Sequence, residues 1–142
     1  MNILVLNGPN INMIGVRDPE IYGSQSFAQL LSNLEQWGKE YDLNITQYQS
    51  NHEGDLVDQI QQAYGHMDGI VINPAAYTHT SIAILDALKA VAIPAVEVHI
   101  SQVSERESFR QISYAGMACA KTIQGQGLDG YRQALLYLKE NY

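Results

Sequence analysis

A chain of 142 residues and 15.8 kDa has room for one hydrophobic core and not two. Its apolar content of 46% and charged content of 16% exclude disorder and low complexity. Eight Lys and Arg against 15 Asp and Glu leave a net charge of −7, which disfavours nucleic acid and anionic membrane surfaces as partners but leaves a local basic pocket for a small anion open.

The chain passes from Met1 and Asn2 directly into an apolar run, Ile3 to Leu6, with no basic leader before it. No stretch approaches the roughly 18 apolar residues of a membrane span. Cys119 is the single cysteine, which fits a reducing compartment, so the expected location is the cytoplasm. After the first run comes a connection from Gly8 to Ser24, long for a strand-to-helix link and therefore a candidate binding loop or lid. It contains Arg17 and Tyr22, bracketed by Gly15 and Gly23.

Ser26 and Gln29 then read as a capping box, followed at helical spacing by Phe27, Leu30, Leu31, Leu34 and Trp37. A second apolar run, Leu43 to Tyr48, precedes a helix over 55–64 with Leu56, Val57 and Ile60 on one face, for which Ser50 and Glu53 read as the capping box. A third run, Gly69 to Ile72, leads to a helix over 80–91 carrying Ile84, Leu85 and Leu88. The fourth run is Ala95 to Ile100, after which Ser104 and Glu107 read as the cap of a short helix. A weaker fifth run, Cys119 to Ile123, and a helix over 131–138 close the chain. Runs without polar alternation suit strands covered on both faces. The alternation of strands and helices predicts an α/β fold, a flavodoxin-like or Rossmann-like open parallel five-stranded sheet with helices on both faces.

In such sheets ligands bind outside the carboxyl ends of the strands. The polar residues fall there: Asn7 and Asn10 after the first strand, Ser50 to Glu53 after the second, Asn73 and then Tyr77 to Ser81 after the third, and Glu97, His99 and Ser101 at the end of the fourth. His66 lies at the opposite edge. Each has an ordinary alternative. His52 and Glu53 sit where a helix cap belongs. Glu97 and His99 share one strand face, where an unpaired carboxylate would be costly. Asp86 lies mid-helix, where a solvated face is the default, and Arg17 and Tyr22 read equally as surface residues. The run Gly125-Gln126-Gly127-Leu128-Asp129-Gly130 matches G-x-G-x-x-G, yet only twelve residues follow it, too few for a dinucleotide-binding unit.

Taken together, Leu4 to Asn10, Arg17-Asp18-Pro19 with Tyr22-Gly23, Gln49 to Gly54, Ile72-Asn73-Pro74, Tyr77 to Ser81, Glu97-Val98-His99, Arg106 with Phe109-Arg110, and Ser113-Tyr114 resemble, in order and nearly end to end, the type II 3-dehydroquinate dehydratase family. The resemblance implies a single catalytic domain over 1–142 that trans-dehydrates 3-dehydroquinate to 3-dehydroshikimate through an enolate, in the shikimate or quinate pathway, without metal, Schiff base or cofactor. It further implies Tyr22 as the base, held as tyrosinate by Arg17, Asn10 polarising the ketone through a water, and His99 as general acid oriented by Glu97. Asn73 and the backbone N–H groups of Ile100 and Ser101 would hold the substrate carboxylate, and His79, Arg110 and Asp86 its hydroxyls. Arg106 is a further candidate. In the family the residue at Asp86 reaches a neighbouring subunit's site within a trimer, and four trimers form a dodecamer.

Ala75, Gln102, Ser104 and Gln111 depart from the Gly, Asn, His and His that the family often carries, which bears on loop geometry around Arg106. Two other readings stand beside this one. One is a metal-dependent hydrolase using His52, His79 and His99 with Glu53 or Asp86. The other is a non-enzymatic flavodoxin-like binding module.

Overall fold

The computed structural model describes residues 1–16 and 25–142. Five strands, β1 (Asn2–Asn7), β2 (Asn44–Gln49), β3 (Gly69–Asn73), β4 (Ala95–His99) and β5 (Lys121–Gln124), form one parallel sheet in the order β2-β1-β3-β4-β5. Four helices accompany them among the described residues: α1 (Phe27–Glu40), α2 (Glu53–Ala63), α3 (Ile82–Val91) and α4 (Asp129–Asn141). This is the open, flavodoxin-like α/β sheet that the sequence predicts.

Side chains alternate across a strand, so each run supplies two cores. Ile3 and Val5 of β1, Val71 of β3 and Val96 and Val98 of β4 pack against Leu30 and Leu34 of α1 and Tyr131, Leu135 and Leu138 of α4. Leu4 and Leu6, Ile70 and Ile72, and Ala95 point the other way, onto Leu56 and Ile60 of α2 and Ile84 and Leu88 of α3. That double coverage is why β1 and β3 read as nearly continuous apolar runs and why β4 is buried along its whole length even at Glu97 and His99, whereas edge strand β2 is only partly covered.

Local chemistry sets two of the four helix starts among the described residues. The Ser26 hydroxyl accepts the Gln29 backbone N–H at 3.0 Å, and the Ser81 hydroxyl accepts that of Ile84 at 3.0 Å, which starts α3 at Ile82, two residues later than the apolar pattern suggests. The expected Ser50–Glu53 box does not form. His52 is the N-cap of α2, and Ser50 instead accepts the His52 N–H at 3.0 Å and donates to Asp55 at 2.7 Å, bracing the β2–α2 turn from before the helix. Nor does Ser104 cap a helix at Glu107: that stretch is two 3-10 turns, Val103–Glu105 and Ser108–Arg110. After β1 the chain makes a further 3-10 turn, Ile11–Met13, so the long connection carries local structure of its own.

The sheet order reverses between β1 and β3, the switch point where parallel sheets open a crevice at their carboxyl ends. Asn7 and Asn73 are paired in register at the ends of those two strands, and Glu97 and His99 lie at the end of β4 beside them.

Candidate active site

The period of two along β4 turns Glu97 and His99 to the same face as Ala95. Glu97 is fully buried, an expensive place for a carboxylate unless its lone pairs are filled. They are filled here. Oε1 accepts the Thr78 hydroxyl at 2.7 Å, the Ser113 hydroxyl at 2.6 Å and His99 Nε2 at 2.7 Å, and Oε2 accepts the Thr122 hydroxyl at 2.8 Å. Burial is the largest single influence and opposes ionisation. The hydrogen bond and charge of His99 and the hydroxyls of Ser113 and Thr78 outweigh it together and bring the carboxyl down to about 2. Glu97 is therefore a carboxylate across the physiological range and can only accept. Hence His99 Nε2 carries its proton toward Glu97, and any exchange with a ligand falls to Nδ1.

The three hydroxyl donors come from three segments that the topology alone brings together. Thr78 lies on the 3-10 turn Ala75–His79 after β3, Ser113 precedes the 3-10 turn Ala115–Ala118, and Thr122 faces Glu97 in the β4–β5 register. Gly116 leaves the space the carboxylate needs: a Cβ there would sit 2.5 Å from Glu97 Oε2 and 2.9 Å from the Ser113 hydroxyl. Beside this nest the His79 and His99 rings stack with centroids 6.5 Å apart, and His79 Nδ1 lies 2.7 Å from the Ile112 carbonyl. A carbonyl only accepts, so Nδ1 bears the hydrogen. Cys119, on the same side, is no nucleophile at neutral pH, because burial and then the charge of Glu97 push its thiol to about 12.

On the opposite face of the sheet a second buried polar group forms. Asn73 Oδ1 accepts the Ala75 N–H at 3.1 Å, and its Nδ2 donates to the Tyr131 hydroxyl at 2.9 Å. The Tyr131 hydroxyl in turn donates to Asn7 Oδ1 at 2.6 Å. Above the crevice, Asn10 adopts a left-handed backbone with φ 69°, held by its N–H to Asn51 Oδ1 at 3.1 Å. Gln49 Nε2 binds Asn51 Oδ1 at 3.2 Å and the Gly8 carbonyl at 3.1 Å, while the Tyr77 hydroxyl holds the Asn51 carbonyl at 3.0 Å.

The segment after β4 is tied to the turn before α4. Ile100 and Ser101 accept the N–H groups of Gly127 and Gly125 at 3.1 and 3.0 Å. In a trans peptide the N–H opposes the carbonyl, so the Ser101 N–H faces away from that turn. Gly125 and Gly127 have φ of 74° and 59° and lie against the Gln102 and Gln25 side chains, so the glycine pattern of 125–130 serves a tight β5–α4 turn. Farther along, Arg110 Nε reaches Glu107 at 2.7 Å, and Gln111 Nε2 caps the carbonyls of Val103, Arg106 and Glu107 at 3.0 to 3.2 Å.

Of the residues expected from sequence, Asn10, Asn73, His79, Glu97, His99, Ile100 and Ser101 thus lie at the carboxyl ends of β1, β3 and β4 or on the turns that leave them. Arg110 stands on the adjoining segment, paired with Glu107. Asp86 is exposed on α3 and touches none of them through a hydrogen bond or ion pair. Tyr22 and Arg17 lie outside the described residues. Among the described residues no group of three or more His, Cys, Asp or Glu could hold a metal ion, so His52, His79, His99, Glu53 and Asp86 are not gathered as a ligand set. Surface grooves flank β2, one along Leu31, Leu34, Gly38 and Ile45, yet they include none of the site residues; the ionised Glu97 and its partners, rather than the size of a groove, mark the chemical centre. Thr78 and Ser113 fall within segments that the sequence reading singles out but receive no individual role there, and Thr122 and Tyr131 are not among its site candidates. Their signal is register and sheet order, which become visible only once the strands are paired.

A buried carboxylate, ionised at neutral pH and hydrogen-bonded to a histidine, at the crevice of a flavodoxin-like sheet is an arrangement suited to acid–base chemistry. The profile of the family described as Dehydroquinase class II matches residues 1–139, and the chain belongs to that family. Over 136 residues it is 50% identical to a protein of Bartonella tribocorum named 3-dehydroquinate dehydratase, covering 96% of this chain and 91% of that one. It is 49% identical over 142 residues to a protein of the same name from Clostridium perfringens, covering 99% and 97%. The crystal structure of type II dehydroquinase from Butyrivibrio crossotus superposes with a TM-score of 0.93 at 50% identity, covering 98% of this chain and 97% of that one.

Proposed function

We propose that this chain trans-dehydrates 3-dehydroquinate to 3-dehydroshikimate, the step that its relatives' name describes, as a single catalytic domain over 1–142. The observation that carries the reading is the Glu97–His99 pair. A buried carboxylate at about 2 holds the imidazole through Nε2 and leaves Nδ1 to face a ligand. An acid so arranged can give up a proton while Glu97 stays ionised throughout.

The chemistry follows. Tyr22, as a tyrosinate stabilised by Arg17, removes the proton alpha to the ketone, and the electron pair moves onto the ketone oxygen as an enolate. Asn10 stabilises that oxygen, its left-handed turn fixed by Asn51. The enolate then collapses, the C1 carbon–oxygen bond breaks, and His99 Nδ1 protonates the departing hydroxyl, so that one water leaves and atoms balance. Asn73 with the N–H groups of Ile100 and Ser101 holds the carboxylate, and His79, Arg110 and Asp86 hold the hydroxyls. The exposure of Asp86 on α3 suits a residue offered to a neighbouring subunit, in a trimer and then a dodecamer of four trimers. No helix of the described residues is long and apolar enough to cross a membrane, which is compatible with work in the cytoplasm on a soluble metabolite.

The test is the ultraviolet absorbance of 3-dehydroshikimate formed from 3-dehydroquinate, with EDTA present and after borohydride treatment in the presence of substrate. Turnover indifferent to both reagents is expected. Loss on chelation that metal restores would favour metal-dependent chemistry, and inactivation by borohydride would require an imine on a lysine.

A further inference from the structure

Asn73 carries, in the reading above, part of the substrate's carboxylate subsite, and the structure shows what fixes its amide. With Oδ1 committed to the Ala75 N–H, Asn73 must turn Nδ2 toward Tyr131. The phenol oxygen therefore accepts on that side and must spend its own hydrogen on Asn7, whose oxygen has to face it at 2.6 Å. Reversing either amide would set a donor against a donor or leave the hydroxyl without an acceptor. Tyr131 is completely buried on the first turn of α4, and burial holds its phenol well above the usual tyrosine range, so it remains neutral and keeps that donor.

The arrangement is costly for the fold. Among the described residues, Asn7 Nδ2 is buried without any partner. An apolar trio at the same positions would leave no such orphan. The network stands at the switch point between β1 and β3, where the crevice opens at the carboxyl ends of the strands. We propose that Tyr131 is a positioning residue: its hydroxyl, wedged between Asn7 and Asn73, fixes the Asn73 amide plane so that the second Nδ2 hydrogen is presented to the bound substrate's carboxylate. The claim rests on the assignment of Asn73 to that carboxylate.

Tyr131→Phe removes one oxygen and keeps the ring in the α4 core. The expected result is a rise of about tenfold in KM for 3-dehydroquinate with kcat changed by no more than about threefold, since the loss falls on substrate holding and not on the proton transfers. Asn73→Ala is expected to raise KM at least as much. In the Asn73→Ala background Tyr131→Phe should raise it no further, because the two act as one unit. Asn7→Leu, close in size and without the orphan donor, should raise KM in the same direction and by less; it carries the test if Tyr131→Phe fails to fold. A lowered melting temperature with KM unchanged in Tyr131→Phe, or the same KM increment with and without Asn73, would make the role merely structural and overturn the inference. If Asn73→Ala itself leaves KM unchanged, the carboxylate assignment fails first and the inference falls with it.

Discussion

Lowering the pH should drain a defined share of this protein's stability through Glu97. The carboxyl ordinarily titrates at 4.5 and is held at about 2 in the fold, a difference worth about 3 kcal/mol of folding free energy. Because the folded value is the depressed one, this contribution is fully present above about pH 4.5 and drains away as the pH falls toward 2, when the unfolded chain takes up a proton that the native one resists. Glu97→Gln keeps the size and one accepting oxygen but cannot titrate, and its amide nitrogen confronts hydroxyls and an imidazole that all donate. The assay is urea denaturation of both proteins at fixed protein concentration from pH 7 to pH 2.5, since any assembly would make the midpoint depend on concentration. At pH 7 the variant should be less stable by roughly 3 kcal/mol. Toward pH 2.5 the two curves should converge, because the wild type alone loses the Glu97 contribution. If both proteins lose stability in parallel across that range, the carboxylate is not held as the four hydrogen bonds imply, and the protonation assigned to His99 loses its basis.

Three further substitutions probe the same framework. Thr122→Val removes the hydroxyl donor at 2.8 Å from Glu97 Oε2 with little change of shape, and should cost about 1.5 to 3 kcal/mol in chemical denaturation. Gly116→Ala places a methyl 2.5 Å from the same oxygen; it should destabilise by about 1 to 3 kcal/mol and lower kcat by displacing the carboxylate from His99, which denaturation and steady-state kinetics measure separately. Ala92→Gly, at the left-handed C-cap of α3 with φ 53°, should stabilise the fold by about 1 kcal/mol with turnover unchanged, seen as a higher urea midpoint.

The sequence exposes the α/β order because β1 and β3 are apolar on both faces and β4 on one, so their runs stand out against amphipathic helices. It exposes the Glu97–His99 pair because a period of two puts both on one strand face. Helix starts are less legible: Ser26 satisfies its orphan N–H as its spacing predicts, but Ser50 looks the same in sequence and spends its hydroxyl on His52 and Asp55, a choice that depends on how β2 delivers the chain. That the hydroxyls around Glu97 converge on it is not legible. Thr78, Ser113 and Thr122 lie 19, 16 and 25 residues away from it and meet it only through sheet order and register. The G-x-G-x-x-G run illustrates the converse, a motif whose first two glycines answer to backbone geometry and to the Gln25 and Gln102 side chains. Ala75 shows what a departure from family habit means physically, since its φ of 53° is a conformation that favours glycine.

The most direct test of the central claim is the rate at which purified wild type and His99→Asn convert 3-dehydroquinate into the absorbing enone product, measured side by side at saturating substrate. General acid catalysis by a positioned histidine predicts robust turnover by the wild type and a loss in kcat of roughly a hundredfold to ten-thousandfold in the variant, with folding retained. A wild type that makes no enone, or a His99→Asn enzyme that keeps its kcat, would contradict the account.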